Sequence, residues 1–296
     1  MTNEITYTFD RLTKTYSPDE TCTCKMLWEC SEPMKFKEIS LTVYCIRTLN
    51  PNGHKISGFD SIIPHSQETV IWSYPVQINK IPLTIDSGFN FEFSFKIPQG
   101  NQLCESVRGK FISVDYVIEF VGKRSFLQSD YVSQKVFFVV YPPQTPIPQG
   151  QSIEKIMGRA NCKPSLPPVN FQIRVNLRSD VASFKHPPAG ELEILESSDF
   201  ISQITISYMR TEIITIDRSN PIKNVSEVCR MQIAETDPPK NVTIPFGLEW
   251  VRVLIAPNLE TSTFSLSISL KVRVLFEHGG YATLAIPLKL YRDLAY

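Results

Sequence analysis

The 296-residue chain has little of what binding sites for charged or nucleotide ligands are built from. Lys+Arg and Asp+Glu both total 30, so no net charge of either sign gathers nucleic acid or acidic lipid. No run of Lys or Arg builds a local basic patch, and no nucleic-acid partner is expected. No segment approaches the ~20 consecutive apolar residues that span a bilayer as a helix. The N-terminus, Met1-Thr2-Asn3-Glu4-Ile5-Thr6-Tyr7, lacks the basic start and apolar stretch of a secretory signal. Glycines number only 12 and fall into neither GxxxxGK[ST] nor GxGxxG, so nothing cradles a nucleotide phosphate. His278-Gly279-Gly280 has the look of an esterase oxyanion loop. That chemistry needs a GxSxG elbow, which is absent, and the Gly-Gly pair reads as a hairpin turn.

The seven cysteines (22, 24, 30, 45, 104, 162 and 229) are odd in number and thinly spread, unlike a disulfide framework. With the missing signal they suggest a reducing, cytosolic setting. That setting discounts the sequons Asn224-Val225-Ser226 and Asn241-Val242-Thr243. Cys22-Thr23-Cys24 with Cys30 is the best metal candidate, since positions 22 and 24 of a strand face the same way. A structural zinc site wants four ligands, however, and His54, His65, His186 and His278 each stand alone. The thiols therefore read as packing or surface groups. Asp115 and Glu119, on one face of one strand, read as a solvated sheet face rather than as paired acids. No catalytic residue, metal site or cofactor is expected, and the chain reads as a non-enzyme.

What the chain does have is alternation. Phe89-Asn90-Phe91-Glu92-Phe93-Ser94-Phe95-Lys96-Ile97 changes from apolar to polar at every step, and Phe264 to Val274 repeats the pattern in the other half. Successive side chains of a strand point to opposite faces, so this is a β-strand with one dry side; a helix would scatter the phenylalanines around its cylinder. Strands are expected near 4–9, 23–30, 37–46, 70–78, 89–97, 110–121 and 134–141, then at 171–177, 190–195, 202–216, 227–235, 241–247, 263–276 and 282–291. The 200–209 stretch also fits helical spacing, and its β-branched content decides for strand.

Between the two sets, residues 141–150 hold four prolines in ten and cannot form an internal strand. Residues 151–159 read as one helical turn or two. The expected architecture is all-β: a sandwich over 1–141, a Pro-rich linker over 142–168 and a second sandwich over 169–296. Pro143-Gln144-Thr145-Pro146 satisfies PxxP but has no flanking basic residue to orient it, and it reads as spacer. The 215–226 segment joins two strands with more residues than a hairpin needs and carries Ile216, Pro221, Ile222 and Val225. Such loops on rigid sandwiches often bind partners, and these four residues are the partner-binding candidates.

Several segments resemble the C-type branch of the vacuolar protein sorting 26 family. They are Gly190-Glu191-Leu192-Glu193-Ile194-Leu195-Glu196, Val228-Cys229-Arg230-Met231-Gln232-Ile233-Ala234, Asn258-Leu259-Glu260-Thr261-Ser262-Thr263-Phe264 and Ile286-Pro287-Leu288-Lys289-Leu290-Tyr291-Arg292. In the first half, Thr13-Lys14-Thr15-Tyr16 with Ile39-Ser40-Leu41-Thr42 is similar to the family's opening strands. So is Glu105-Ser106-Val107-Arg108-Gly109-Lys110-Phe111 before Val114-Asp115-Tyr116. The resemblance runs from about residue 5 to 292. Residues 235–240 and the linker depart from the pattern.

The resemblance implies an arrestin-like fold, two β-sandwich lobes joined by a linker, without catalysis. It implies a subunit of an endosomal retriever complex that binds a helical-solenoid scaffold subunit beside a phosphoesterase-fold subunit. A sorting nexin cargo adaptor would be reached through the complex. Such a protein is cytoplasmic, peripheral on endosomes through its partners, and supports endosome-to-plasma-membrane recycling of membrane-protein cargo. By analogy with retromer, the second lobe makes the scaffold contact, and the loop carrying Ile216, Ile222 and Val225 is the expected interface. The alternatives are a retromer-type subunit, an arrestin-domain adaptor that binds receptor tails directly, or a sugar-binding sandwich. The chain's stop at Tyr296, without PPxY or clathrin-type motifs, weighs against the adaptor.

Overall fold

The computed structural model describes residues 4–51, 67–78, 81–86, 88–100, 103–141, 148–163, 169–215, 220–249 and 256–292. Two compact units divide between residues 142 and 143. No α-helix occurs among the described residues.

The first unit contains β1 (Glu4–Phe9), β2 (Thr15–Tyr16), β3 (Thr21–Glu29), β4 (Met34–Lys35), β5 (Glu38–Leu49), β6 (Gln67–Pro75), β7 (Thr84–Ile85), β8 (Gly88–Lys96), β9 (Val107–Arg108), β10 (Ile112–Lys123) and β11 (Tyr131–Val139). One sheet has the order β1-β3-β8; the other runs β2-β11-β10-β5-β6, with β9 on β10. Alternation drives this arrangement. In β3, Cys22, Cys24, Met26 and Trp28 are buried while Thr21, Lys25, Leu27 and Glu29 face out. The inner faces of the two sheets meet through aromatic rings. Trp28 of β3 packs edge-on to Phe120 of β10 at 5.0 Å and stacks on Tyr131 of β11 at 4.9 Å. Phe95 of β8 and Phe9 of β1 both reach Phe137 of β11, at 5.5 and 6.0 Å. Such rings bury large apolar areas and account for much of a small sandwich's stability.

The second unit contains β12 (Ile153–Met157), a single 3-10 turn (Arg159–Asn161), β13 (Phe171–Leu177), β14 (Val181–Ser183), β15 (Ala189–Ser197), β16 (Ile201–Ile214), β17 (Ile222–Glu235), β18 (Thr243–Gly247), β19 (Leu259–Glu260), β20 (Phe264–Phe276) and β21 (Tyr281–Tyr291). Its sheets are β12-β13-β15-β18 and β14-β21-β20-β16-β17, with β19 on β20. The core lies between them, where Phe171 of β13 meets Phe276 of β20 at 5.1 Å.

The two units share one topology. In each, a two- or three-residue strand (β2, β14) pairs parallel with the last strand (β11, β21), and every other named strand pair is antiparallel. The order β2-β11-β10-β5-β6 is repeated as β14-β21-β20-β16-β17, and β1-β3-β8 as β13-β15-β18. The addition in the second unit is β12, laid antiparallel on β13.

That addition corrects the sequence reading of 142–168 as linker with helical turns at 151–159. Ile153, Ile156 and Met157 have helical spacing, but Met157 is buried against the core and Ile156 is 56% exposed, as alternation along a strand requires. Residues 142–147, including Pro143 and Pro146 of the PxxP segment, lie outside the described residues.

Candidate partner-binding edge of the second unit

The partner-binding candidates fall on the β16–β17 hairpin. The two strands pair from Ile214↔Ile222 to Gln203↔Glu235, and β17 is the edge of its sheet. Two register shifts, each leaving an extra residue on β17 (Val228 and Ile233), twist that edge. The connection is residues 215–221, shorter than the 215–226 expected from sequence. Cross-strand hydrogen bonding carries β17 back to Ile222 despite the polar Lys223 and Asn224. Ile216 lies outside the described residues.

Pro221 is exposed, Ile222 is half-buried, and Val225 is 50% exposed. Alternation sends the last two to opposite faces. Ile222 stands beside Ile214 on the inner side, whereas Val225 stands beside Thr211 on the outer side, between Lys223 and Glu227. A flat partner surface therefore reaches Val225 and Pro221 directly, and Ile222 only from the hairpin's inner side. The loop reading thus becomes an edge-strand reading.

Sequence reasoning missed a polar cluster on that inner side. Glu212 is fully buried, with the Arg210 guanidinium 3.2 Å from its carboxylate. Asn224 and Ser226, their neighbours on β17, bury Nδ2 and Oγ without a hydrogen-bond partner among the described residues. A buried carboxylate survives only when paired, so Arg210 and Glu212 hold the hairpin end as one unit. The signal was legible. Counting in twos from Ile204, Ile206 and Tyr208 puts Arg210 and Glu212 on the dry side.

The other residues singled out from sequence are dispersed. Cys22 and Cys24 share the inner face of β3 and are wholly buried, and burial pushes both thiols up to about 12. A thiol so far from ionisation is a poor nucleophile. No group of three or more His, Cys, Asp or Glu side chains is placed to hold a metal among the described residues. Asp115 pairs with Arg108 at 3.0 Å, and Glu119 accepts from the Tyr44 hydroxyl at 2.9 Å. His278 sits in the β20–β21 turn, where Gly279 has φ of +83°, and its Nδ1 lies 2.7 Å from Asp199 Oδ1. No described helix is long and apolar enough to cross a membrane.

Two sandwiches of matching topology define an all-β, arrestin-like protein. No family model matches the chain. Along its whole length it is similar to the vacuolar protein sorting-associated protein 26C of Dictyostelium discoideum: 21% identical over 308 residues, covering 99% of this chain and 100% of that protein. This likeness supports a family of the vacuolar protein sorting 26C type.

Proposed function

We propose that the chain is a non-enzymatic subunit of an endosomal sorting complex of the retriever type. The observation that carries the reading is the end-to-end likeness to a protein named for vacuolar sorting, spanning both sandwiches. It supports a sorting-related subunit. The finer reading rests on the motifs of the second unit. In it, a helical-solenoid scaffold subunit docks on the β16–β17 edge, with Val225 and Pro221 at the contact, Ile222 bracing it and Ile216 in the adjoining connection. A phosphoesterase-fold subunit shares the scaffold, a sorting nexin brings cargo to the complex, and the chain reaches endosomes through these partners. Edge strands and the turns beside them are where a rigid sandwich can dock without remodelling its core.

Affinity capture of the tagged full chain from its own cytosol, with quantitative mass spectrometry, tests this. Recovery of a large helical-repeat scaffold in fixed proportion supports the proposal. Recovery of receptors and ubiquitin ligases without such a scaffold would make the chain a direct arrestin-type adaptor instead.

A further inference from the structure

A β-sandwich normally blunts the open edges of its sheets, because an unpaired row of amide and carbonyl groups invites another strand. Nearly every edge among the described residues is blunted in some way. The parallel strands β2 and β14 have two and three residues, and β12 has five. The edge strand β18 is also five residues long and contains Pro245. β6 carries a register shift opposite Cys45/Ile46 and closes on Pro75, and β17 carries two shifts. β1 is six residues long.

β8 is the exception. It runs nine residues without a proline, and its pairing with β3 is unbroken from Thr21↔Lys96 to Glu29↔Gly88. Its counterpart in the second unit is the short, proline-containing β18. Its inner face is a regular stack, with Phe89, Phe91, Phe93 and Phe95 at successive ring spacings of 6.3, 5.8 and 6.2 Å. Across the sandwich the facing edge strand is β6. Between the two edges lies an open groove of about 640 Å³, walled by Phe89, Phe91 and Phe93 on one side and Tyr74 and Val76 on the other. Tyr74 is 39% exposed.

We propose that the β8 edge, with this aromatic groove, receives an extended peptide segment of another protein as a fourth strand of the β1-β3-β8 sheet. The peptide's inward side chains would be apolar and would lie along the phenylalanine stack opposite Tyr74. Its outward side chains would flank Asn90, Glu92 and Ser94; Glu92 has Lys25 of β3 opposite it on its other side, and a Lys or Arg of the peptide would complete a row of alternating charge. Backbone pairing supplies affinity in such additions, and alternate side chains supply selectivity. A second copy of this chain is a poorer occupant. Pairing β8 with itself over its full length sets Glu92 directly against Glu92, a like-charge contact that destabilises a sheet. The inference rests on the first unit alone and is independent of the scaffold reading above.

The test uses the full-length protein and two synthetic fluorescein-labelled nonapeptides. Both alternate threonine and valine, one with a central lysine and the other with a central glutamate. Fluorescence anisotropy should show the lysine peptide binding about three- to tenfold more tightly, the size of one cross-strand charge pair made against one opposed. Amide hydrogen exchange over residues 89–95 should slow when that peptide is added. Glu92→Lys, at an exposed position, should reverse the order of the two peptides. Failure of both peptides to bind, an order unchanged in the variant, or protection lying elsewhere would overturn the proposal. So would protection of β8 that rises with protein concentration alone, since that outcome assigns the edge to self-association.

Discussion

Replacing Trp28 probes whether each sandwich stands on its own core. The indole is wholly buried, with ring centroids of Phe36, Phe120 and Tyr131 at 5.4, 5.0 and 4.9 Å, and it ties β3 to the opposite sheet. Trp28→Ala removes all three contacts and leaves a cavity, at a cost of about 3–5 kcal/mol. Domains of this size are stable by only about 5–15 kcal/mol, so the loss is a large share of what holds the first unit together.

Trp28→Phe should behave differently. Its ring keeps most of the contacts, and it removes an indole N–H that finds no acceptor among the described residues. A buried unsatisfied donor costs about 1–3 kcal/mol, which offsets part of the lost volume. The expected loss is under about 2 kcal/mol, at the lower end of large-to-small core changes. Urea unfolding followed by far-ultraviolet circular dichroism, with limited proteolysis and mass spectrometry to identify the opened region, reads both variants. Cleavage should begin at lower urea in residues before 143 and stay unchanged in residues after it. Equal shifts in both halves, or a phenylalanine variant as unstable as the alanine one, would refute the reasoning.

Two further predictions concern charged pairs. Glu212→Ala leaves Arg210 in a largely buried place without its carboxylate and should destabilise the second unit by about 3–5 kcal/mol, whereas replacing both residues by Leu should recover most of that in urea melts. His278 has its pKa raised above the ordinary 6.5 by the hydrogen bond to Asp199 and by its charge. Its contribution is therefore fully present below 6.5 and fades as pH rises through the elevated value. Asp199 is held below 3.8: burial pushes it up, but the bond to His278 and the Phe200 amide outweigh that. Its contribution is present above 3.8 and fades as pH falls through the depressed value. The difference in melting temperature between the natural protein and His278→Gln should thus be largest between about pH 4 and 6.5 and shrink on either side. A difference that stays the same below pH 4 and above the raised histidine value would remove the pair from the account.

How much of this was legible in the sequence depends on the range of the interactions. The alternation in 89–97 and 264–274 placed β8 and β20, because a strand with one dry face writes its period into the residues themselves. The short β2 and β14 left no such trace. They exist because β11 and β21, far along the chain, offer an edge to pair with. Residues 153–157 carry a helix-like spacing that pairing with β13 overrides. In the hairpin candidate, composition marked residues 221–226 as loop, whereas cross-strand bonding made them strand and turned Ile222 and Val225 to opposite sides. The phenylalanine stack was plain from the start. That its strand would be an open edge facing Tyr74 depends on sheet order, which no local pattern encodes.

The most direct measurement compares scaffold recovery by the natural full chain and by Val225→Asp, captured side by side at equal amounts. Val225 is half exposed on the outer face, so the substitution should leave the melting temperature nearly unchanged. Placing a charge in an apolar contact should reduce recovery of the helical-repeat scaffold at least tenfold, the size of an interface contact worth more than about 1.4 kcal/mol. Undiminished recovery with an intact fold would remove the β16–β17 edge as the docking surface.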